Sequence, residues 1–207
     1  MIRAVAFDVM DTLLADPFRA ALEAATGLTV RELMTRRDPA VYPAFERGEI
    51  SESAYWDHHA ALGVEVDPAA FHAVRRAGTR WLPGMESLLL ELEGRVLRVG
   101  ASNYPVWIEE LIEGPLAGRL DRVVASCHLG ARKPHHAFYE RLLTHLDLSA
   151  AAVAFVDDRE VNVVAAREVG MSAHLVAGEG LAAATGVRRY LADLGVPVAR
   201  EPAADLS

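Results

Sequence analysis

The chain contains almost no lysine. Of its 21 basic residues, all but Lys133 are arginine. An ammonium is a compact point charge on a flexible stem and a guanidinium is a wide planar fork, so a single lysine in an arginine-using chain marks a place where the fork does not fit. Lys133 is therefore the first candidate site residue. Cysteine is as scarce: Cys127 stands alone, which excludes an intrachain disulfide and a cysteine-built zinc cage and suits a reducing compartment. A cytoplasmic protein is expected. No run approaches the roughly 18 apolar residues that a membrane-spanning helix needs. The opening Met1-Ile2-Arg3-Ala4-Val5 lacks the charged start, apolar stretch and small-residue cleavage site of a signal peptide. Basic clusters are missing too. The net charge is -8 and the arginines are scattered, so neither nucleic acid, which is gripped by a basic stripe, nor a membrane is an expected partner.

What the chain has in quantity is apolar residues, 52% of its 207, enough for one large domain or a domain with an insertion. Short β-rich apolar runs occupy residues 2–7, 95–100, 122–125, 152–156 and 173–176, and helical periodicity fills 106–116, 137–146, 161–169 and 181–194. Runs that are apolar almost throughout and alternate with helices predict an α/β fold, a parallel sheet core flanked by helices. The long stretch between the first two runs has no strand pattern. Helices are expected there at 18–26, at 30–37, at 39–47 with Asp38 as N-cap and Pro39 in first position, and at 52–62 opened by Ser51. A further one starts at Asp67-Pro68, and Pro83-Gly84 breaks the pattern before a helix at 85–92. The chain thus divides into an α/β core of 1–14 and 84–207 and an inserted all-helical segment of 15–83. Its polar end, 197–207, is expected to fray.

In an open parallel sheet, ligands bind beyond the carboxyl ends of the strands. The first run is followed by Asp8 and the second by Ser102-Asn103; the segment after the third carries Lys133, and the fourth is followed by Asp157-Asp158. Carboxylates, a hydroxyl and a lone ammonium on one rim form a set able to hold a divalent cation and an anion together.

Four motifs on these ends occur in order. Phe7-Asp8-Val9-Met10-Asp11-Thr12-Leu13, Ala101-Ser102-Asn103, Arg132-Lys133-Pro134 and Phe155-Val156-Asp157-Asp158-Arg159-Glu160-Val161-Asn162 resemble the four motifs of the haloacid dehalogenase superfamily of hydrolases. The run Phe45-Glu46-Arg47-Gly48-Glu49-Ile50-Ser51 is similar to the helical caps of that family's first cap class. The resemblance implies a Rossmann-like core with an inserted all-helical cap domain and a hydrolase of the phosphatase type. It further implies Asp8 as nucleophile, with Ser102 and Lys133 as its catalytic partners, and substrate contacts from Asn103 and Thr12. Mg²⁺ would be held by Asp8, the Met10 carbonyl and Asp158, supported by Asp157 and Asn162. The implied partner is a small anionic metabolite.

One position departs from the phosphatase pattern. A second aspartate, two residues after the nucleophile, protonates the leaving oxygen in such phosphatases, and here that position is Met10. Asp11, one residue on, points elsewhere in an extended segment and is not expected to substitute. Three readings stay open: a Mg²⁺-dependent phosphatase, a metal-independent 2-haloacid dehalogenase whose halide leaves without a proton, and an impaired protein that binds a phosphorylated ligand. Tyr139 resembles a position that dehalogenases fill with tyrosine, whereas the acidic pair Asp157-Asp158 repels a haloacid carboxylate. The remaining features read as bland. His58-His59 and His135-His136 are adjacent, cannot chelate one ion from a helix, and are expected at the surface. Trp56, Trp81 and Trp107 are expected in packing, Arg36, Arg37 and Arg47 on a solvated face, Cys127 as a buried thiol, and Tyr104 in the pocket wall.

Overall fold

The computed structural model describes residues 1–198, so most of the expected frayed end lies outside the described residues. Five strands form one sheet: β1 (Ala4–Phe7), β2 (Leu97–Ser102), β3 (Arg122–Ala125), β4 (Val153–Asp157) and β5 (Ser172–Leu175). Their order is β3-β2-β1-β4-β5 and every pairing is parallel. The first strand is thus central: Ala4 pairs with Leu97 on one side and Val153 on the other.

Successive side chains of a strand point to opposite faces, and β1 divides accordingly. Val5 and Phe7 join one apolar cluster, Ala4 and Ala6 a second, and all four are 0% exposed. The first face is covered by α6 (Met85–Leu92), α7 (Ile108–Glu113) and α11 (Leu181–Asp193), the second by α9 (His136–Leu146) and α10 (Glu160–Glu168). Burial on both faces is why the strands read as mainly apolar runs; Arg98 of β2, buried at 3% exposure, is paired with Asp121.

Between β1 and α6 lie α1 (Phe18–Thr26), α2 (Val30–Arg36), α3 (Val41–Glu46), α4 (Glu52–Ala61) and α5 (Pro68–Gly78). Side-chain caps start three of them, satisfying amide donors that a helix leaves open. Thr29 and Glu32 form a capping box, Ser51 accepts from the Ala54 amide, and Asp67 accepts from Ala69 and Ala70 beside Pro68 in the first turn. The expected helix 39–47 is shorter. Asp38 Oδ1 takes the Ala40 amide at 2.8 Å, capping a turn that precedes the helix rather than the helix itself, which begins at Val41. Likewise the expected 106–116 helix contracts to α7, where Gly114 ends it at φ -103 and ψ -112. The second strand runs two residues further than expected, through Ser102, and a short helix, α8 (Ser126–Leu129), follows β3.

The inserted helices share an apolar cluster with the sheet. Trp107, which precedes α7, lies with its ring centroid 4.9 Å from Phe45, 5.8 Å from Trp56 and 4.7 Å from Phe71. His59 belongs to this interior and not to the surface: it is 2% exposed, with Nδ1 2.9 Å from the Tyr55 carbonyl, because one turn of helix sets it on the apolar face of α4. His135 and His136 are exposed as expected. Arg75 and Arg76 of α5 both pair with Glu110 of α7. Among the described residues, no helix is long and apolar enough to cross a membrane.

Truncating Trp107 to alanine removes the ring common to insert and sheet and costs about 3–5 kcal/mol, measured by urea unfolding; a loss below about 1 kcal/mol contradicts the shared core. The Arg76 hydrogen bonds, with Arg75 beside them, hold the Glu110 carboxyl at about 2, down from 4.5. Its folded value is depressed, so its contribution is present above 4.5 and lost as pH falls toward about 2. Glu110→Gln is expected to flatten the stability curve in that window, read by thermal melts across pH.

Candidate active site

Parallel strands end on one rim, and there the chain delivers its polar residues. Asp8 directly follows β1, its amide still bonded to the Val156 carbonyl at 2.8 Å. Its Oδ1 accepts the Val9 amide at 2.8 Å and meets Lys133 Nζ at 2.8 Å. The same ammonium lies 2.7 Å from Asp157 Oδ2 at the end of β4. Lys133 is 1% exposed and Asp157 0%, so the ammonium is desolvated between two carboxylates. Burial alone lowers its proton affinity, but Asp8 and Asp157 outweigh burial and the ammonium titrates above its ordinary value.

Asn103 lines the cavity, yet its amide is committed to the Lys133 backbone: Nδ2 donates to the Lys133 carbonyl at 2.9 Å and Oδ1 accepts its amide at 2.8 Å. That side chain thus holds the lysine segment while remaining in the cavity wall. Asp157 is saturated as an acceptor by Lys133, the Arg159 amide and Asn162 Nδ2. Tyr139 donates its hydroxyl to the Asn162 carbonyl at 2.8 Å, behind the rim. Ser102 ends β2 and is 1% exposed, with no hydrogen-bond partner for its hydroxyl. Thr12 is fully buried with an unpartnered hydroxyl and is not among the residues lining the cavity, so its expected substrate contact is not what the geometry shows.

The cavity measures about 180 Å³ and brings together Asp8, Met10, Ser102, Asn103, Lys133, Asp158 and Asn162. Ligand oxygens of Asp8, Asp157 and Asp158 lie within 4.8 Å of one another. Burial, then the neighbouring Asp157 carboxylate, raises Asp158. Burial likewise lifts Asp8 to about 7, against the pull of Lys133. Asp11 adopts φ 57 and also lines the cavity; short polar side chains tolerate this left-handed conformation.

Several lining residues were not anticipated. Asp16, Phe18, Tyr42 and Glu46 enter from the inserted segment, and Arg159 from the sheet rim; Tyr104 lines the wall as expected. Glu46 is 5% exposed and its Oε2 meets Arg132 Nε at 2.8 Å. The signal available was its place in the run 45–51, which carried no information on where the side chain points. Arg36, Arg37 and Arg47 are absent from the lining, and Arg47 pairs with Glu49 at 2.6 Å.

A family model described as haloacid dehalogenase-like hydrolase matches residues 2–170. The chain belongs to that family. Flavin mononucleotide hydrolase 1 of Arabidopsis thaliana, described as chloroplastic, is 33% identical over 196 residues, covering 93% of this chain and 77% of the relative. The sesquiterpene phosphatase astK of Aspergillus oryzae is 32% identical over 155 residues, 70% of this chain and 77% of that one. A family enzyme of Bacteroides thetaiotaomicron, solved with magnesium and inorganic phosphate, shares the fold at TM-score 0.72 and 16% identity, covering 86% and 95% of the two chains. An L-2-haloacid dehalogenase of Xanthobacter autotrophicus shares it at TM-score 0.63 and 22% identity, covering 98% and 91%. The protein is thus a hydrolase with the fold of this haloacid dehalogenase-like family.

Removing the ammonium leaves Asp8 and Asp157 facing each other without a cation. Lys133→Met is expected to cost about 3–5 kcal/mol in urea unfolding, and an unshifted midpoint contradicts the buried bridge.

Proposed function

We propose that the protein is a Mg²⁺-dependent phosphatase of small phosphorylated metabolites, with Asp8 as nucleophile and the helices of 15–83 as a cap over the 1–14 and 84–207 core. The observation that carries this is the carboxylate cluster of Asp8, Asp157 and Asp158. A single ammonium cannot balance three carboxylates and an incoming phosphate. Hard oxygen donors grouped in this way suit magnesium. Because Asp157 is saturated by Lys133, Asn162 and Arg159, the ligands assigned are Asp8, Asp158 and the backbone carbonyl of Met10, with Asp157 and Asn162 in support. When bound, the cation neutralises charge, so that an anionic nucleophile can approach an anionic phosphate.

The chain's own groups do the rest. Asp8 attacks phosphorus and forms an aspartyl phosphate, which water then hydrolyses. Lys133, fixed by Asn103, stabilises charge on the nucleophile and the transferring group. The unpartnered Ser102 hydroxyl donates to a phosphate oxygen. Phe18, Tyr42 and Tyr104 in the wall suit a flat or apolar leaving portion. Flavin mononucleotide is the first compound to test, since a relative matching 93% of the chain is named for its hydrolysis.

The halide-releasing alternative explains Met10 but places a substrate carboxylate among Asp8, Asp158, Asp16 and Glu46, with Lys133 and Arg159 the cationic side chains in the lining. A binding-only role requires Asp8 to serve only as a metal ligand. Expected results are Mg²⁺-dependent hydrolysis of an aryl phosphate and of flavin mononucleotide, abolished by chelation. Asp8→Asn should lower turnover by more than about 10³-fold, and no halide should leave 2-chloropropionate. Metal-independent halide release, or ligand binding without turnover, overturns the proposal.

A further inference from the structure

Met10 leaves the leaving oxygen without the proton donor that a second aspartate would provide, yet an unactivated alcohol departs slowly without one. Besides Asp8 and Asp158, three carboxyl side chains line the cavity: Asp11, Asp16 and Glu46. The first two are exposed and each caps a turn, Asp11 Oδ1 taking the Asp16 amide at 3.0 Å and Asp16 Oδ1 the Phe18 amide at 2.9 Å, although partial burial raises the Asp16 carboxyl as well. Glu46 differs. It ends α3 in the inserted segment, facing the sheet rim, and is 5% exposed. Its Oε2 accepts from Arg132 Nε at 2.8 Å, and Oε1 accepts no hydrogen bond from the described residues.

We infer that Glu46 is the proton donor and acceptor of the reaction, supplied from the inserted helices in place of the residue missing at position 10. This rests on the phosphatase reading of the site. The Arg132 hydrogen bond to Oε2 fixes the carboxyl whether or not Oε1 carries a proton, so the group can cycle without moving. Burial raises its proton affinity against the opposing charges of Arg132, Lys133 and Arg159, and a phosphate arriving among the other carboxylates raises it further. In the first step an Asp8 oxygen bonds phosphorus and the ester P–O bond breaks; the Glu46 proton goes to the departing oxygen, releasing the alcohol. In the second, water bonds phosphorus and gives a proton to Glu46, and the Asp8–phosphorus bond breaks to release phosphate and restore both carboxyl groups.

The test is a leaving-group comparison at saturating Mg²⁺. Glu46→Gln keeps the shape and the Arg132 contact but carries no transferable proton. The ratio of kcat/KM for p-nitrophenyl phosphate over butyl phosphate should rise about 100-fold in this variant, and adding Met10→Asp should recover butyl phosphate turnover at least about tenfold. Equal loss on both substrates, or no recovery, overturns the inference and leaves Glu46 a purely structural partner of Arg132. Wild-type protein gives a check that needs no variant: across a series of phosphate esters its rate should depend weakly on leaving-group basicity, and a steep dependence overturns the inference as well. Turnover surviving in Asp8→Asn would instead sink the underlying phosphatase reading.

Discussion

The site is organised around one ammonium held out of water between two carboxylates. Lys133 lies 2.8 Å from Asp8 and 2.7 Å from Asp157, and the sheet makes this possible, since Phe7 pairs with Val156 and the residues that follow each therefore emerge side by side. An isolated carboxylate so deep would take up a proton; the shared cation keeps the pair compatible with burial. Removing the ammonium leaves both carboxylates stranded; Asn103 grips the lysine backbone on one flank and Asn162 holds Asp157 on the other.

The sheet and its rim were legible in the sequence because their causes are local or nearly so. Burial on both faces favours mainly apolar strands, and the polar rim begins where they end. The solitary lysine drew attention by composition and became readable through the motifs on the strand ends; the structure sets it between two carboxylates. What could not be read depends on distant neighbours. Asp38 caps a turn and not the helix because the chain bends there before α3 begins. His59 is interior because it shares a face of α4 with Tyr55 and Trp56, and that face packs toward Phe71 and Trp107. The hold of Asn103 on the lysine backbone was not legible because its partner lies 30 residues away. Glu46 went unnoticed for the same reason: Arg132, which fixes it, is 86 positions further along.

The inserted helices and the sheet are joined by apolar packing and by charge. Trp107 enters the aromatic group of α3, α4 and α5, Arg75 and Arg76 reach Glu110, and Glu46 reaches Arg132 beside the site lysine. The last contact lies at the cavity wall, so the seam between insert and sheet and the site share residues. Any displacement of α3 moves a carboxylate relative to Lys133. The seam between insert and sheet thus meets the cavity wall through one short helix.

The central place of β1 also bears on how the chain comes to be folded. Its flanking partners, β2 and β4, lie far downstream, so the four residues that anchor Asp8 stay unpaired until much of the polypeptide has left the ribosome. Closing such long loops carries an entropic cost before any contact repays it. The helices of the insert, where α1 packs against α5, close shorter loops than the sheet does and can form earlier, leaving the rim that carries Asp8 among the last parts to assemble.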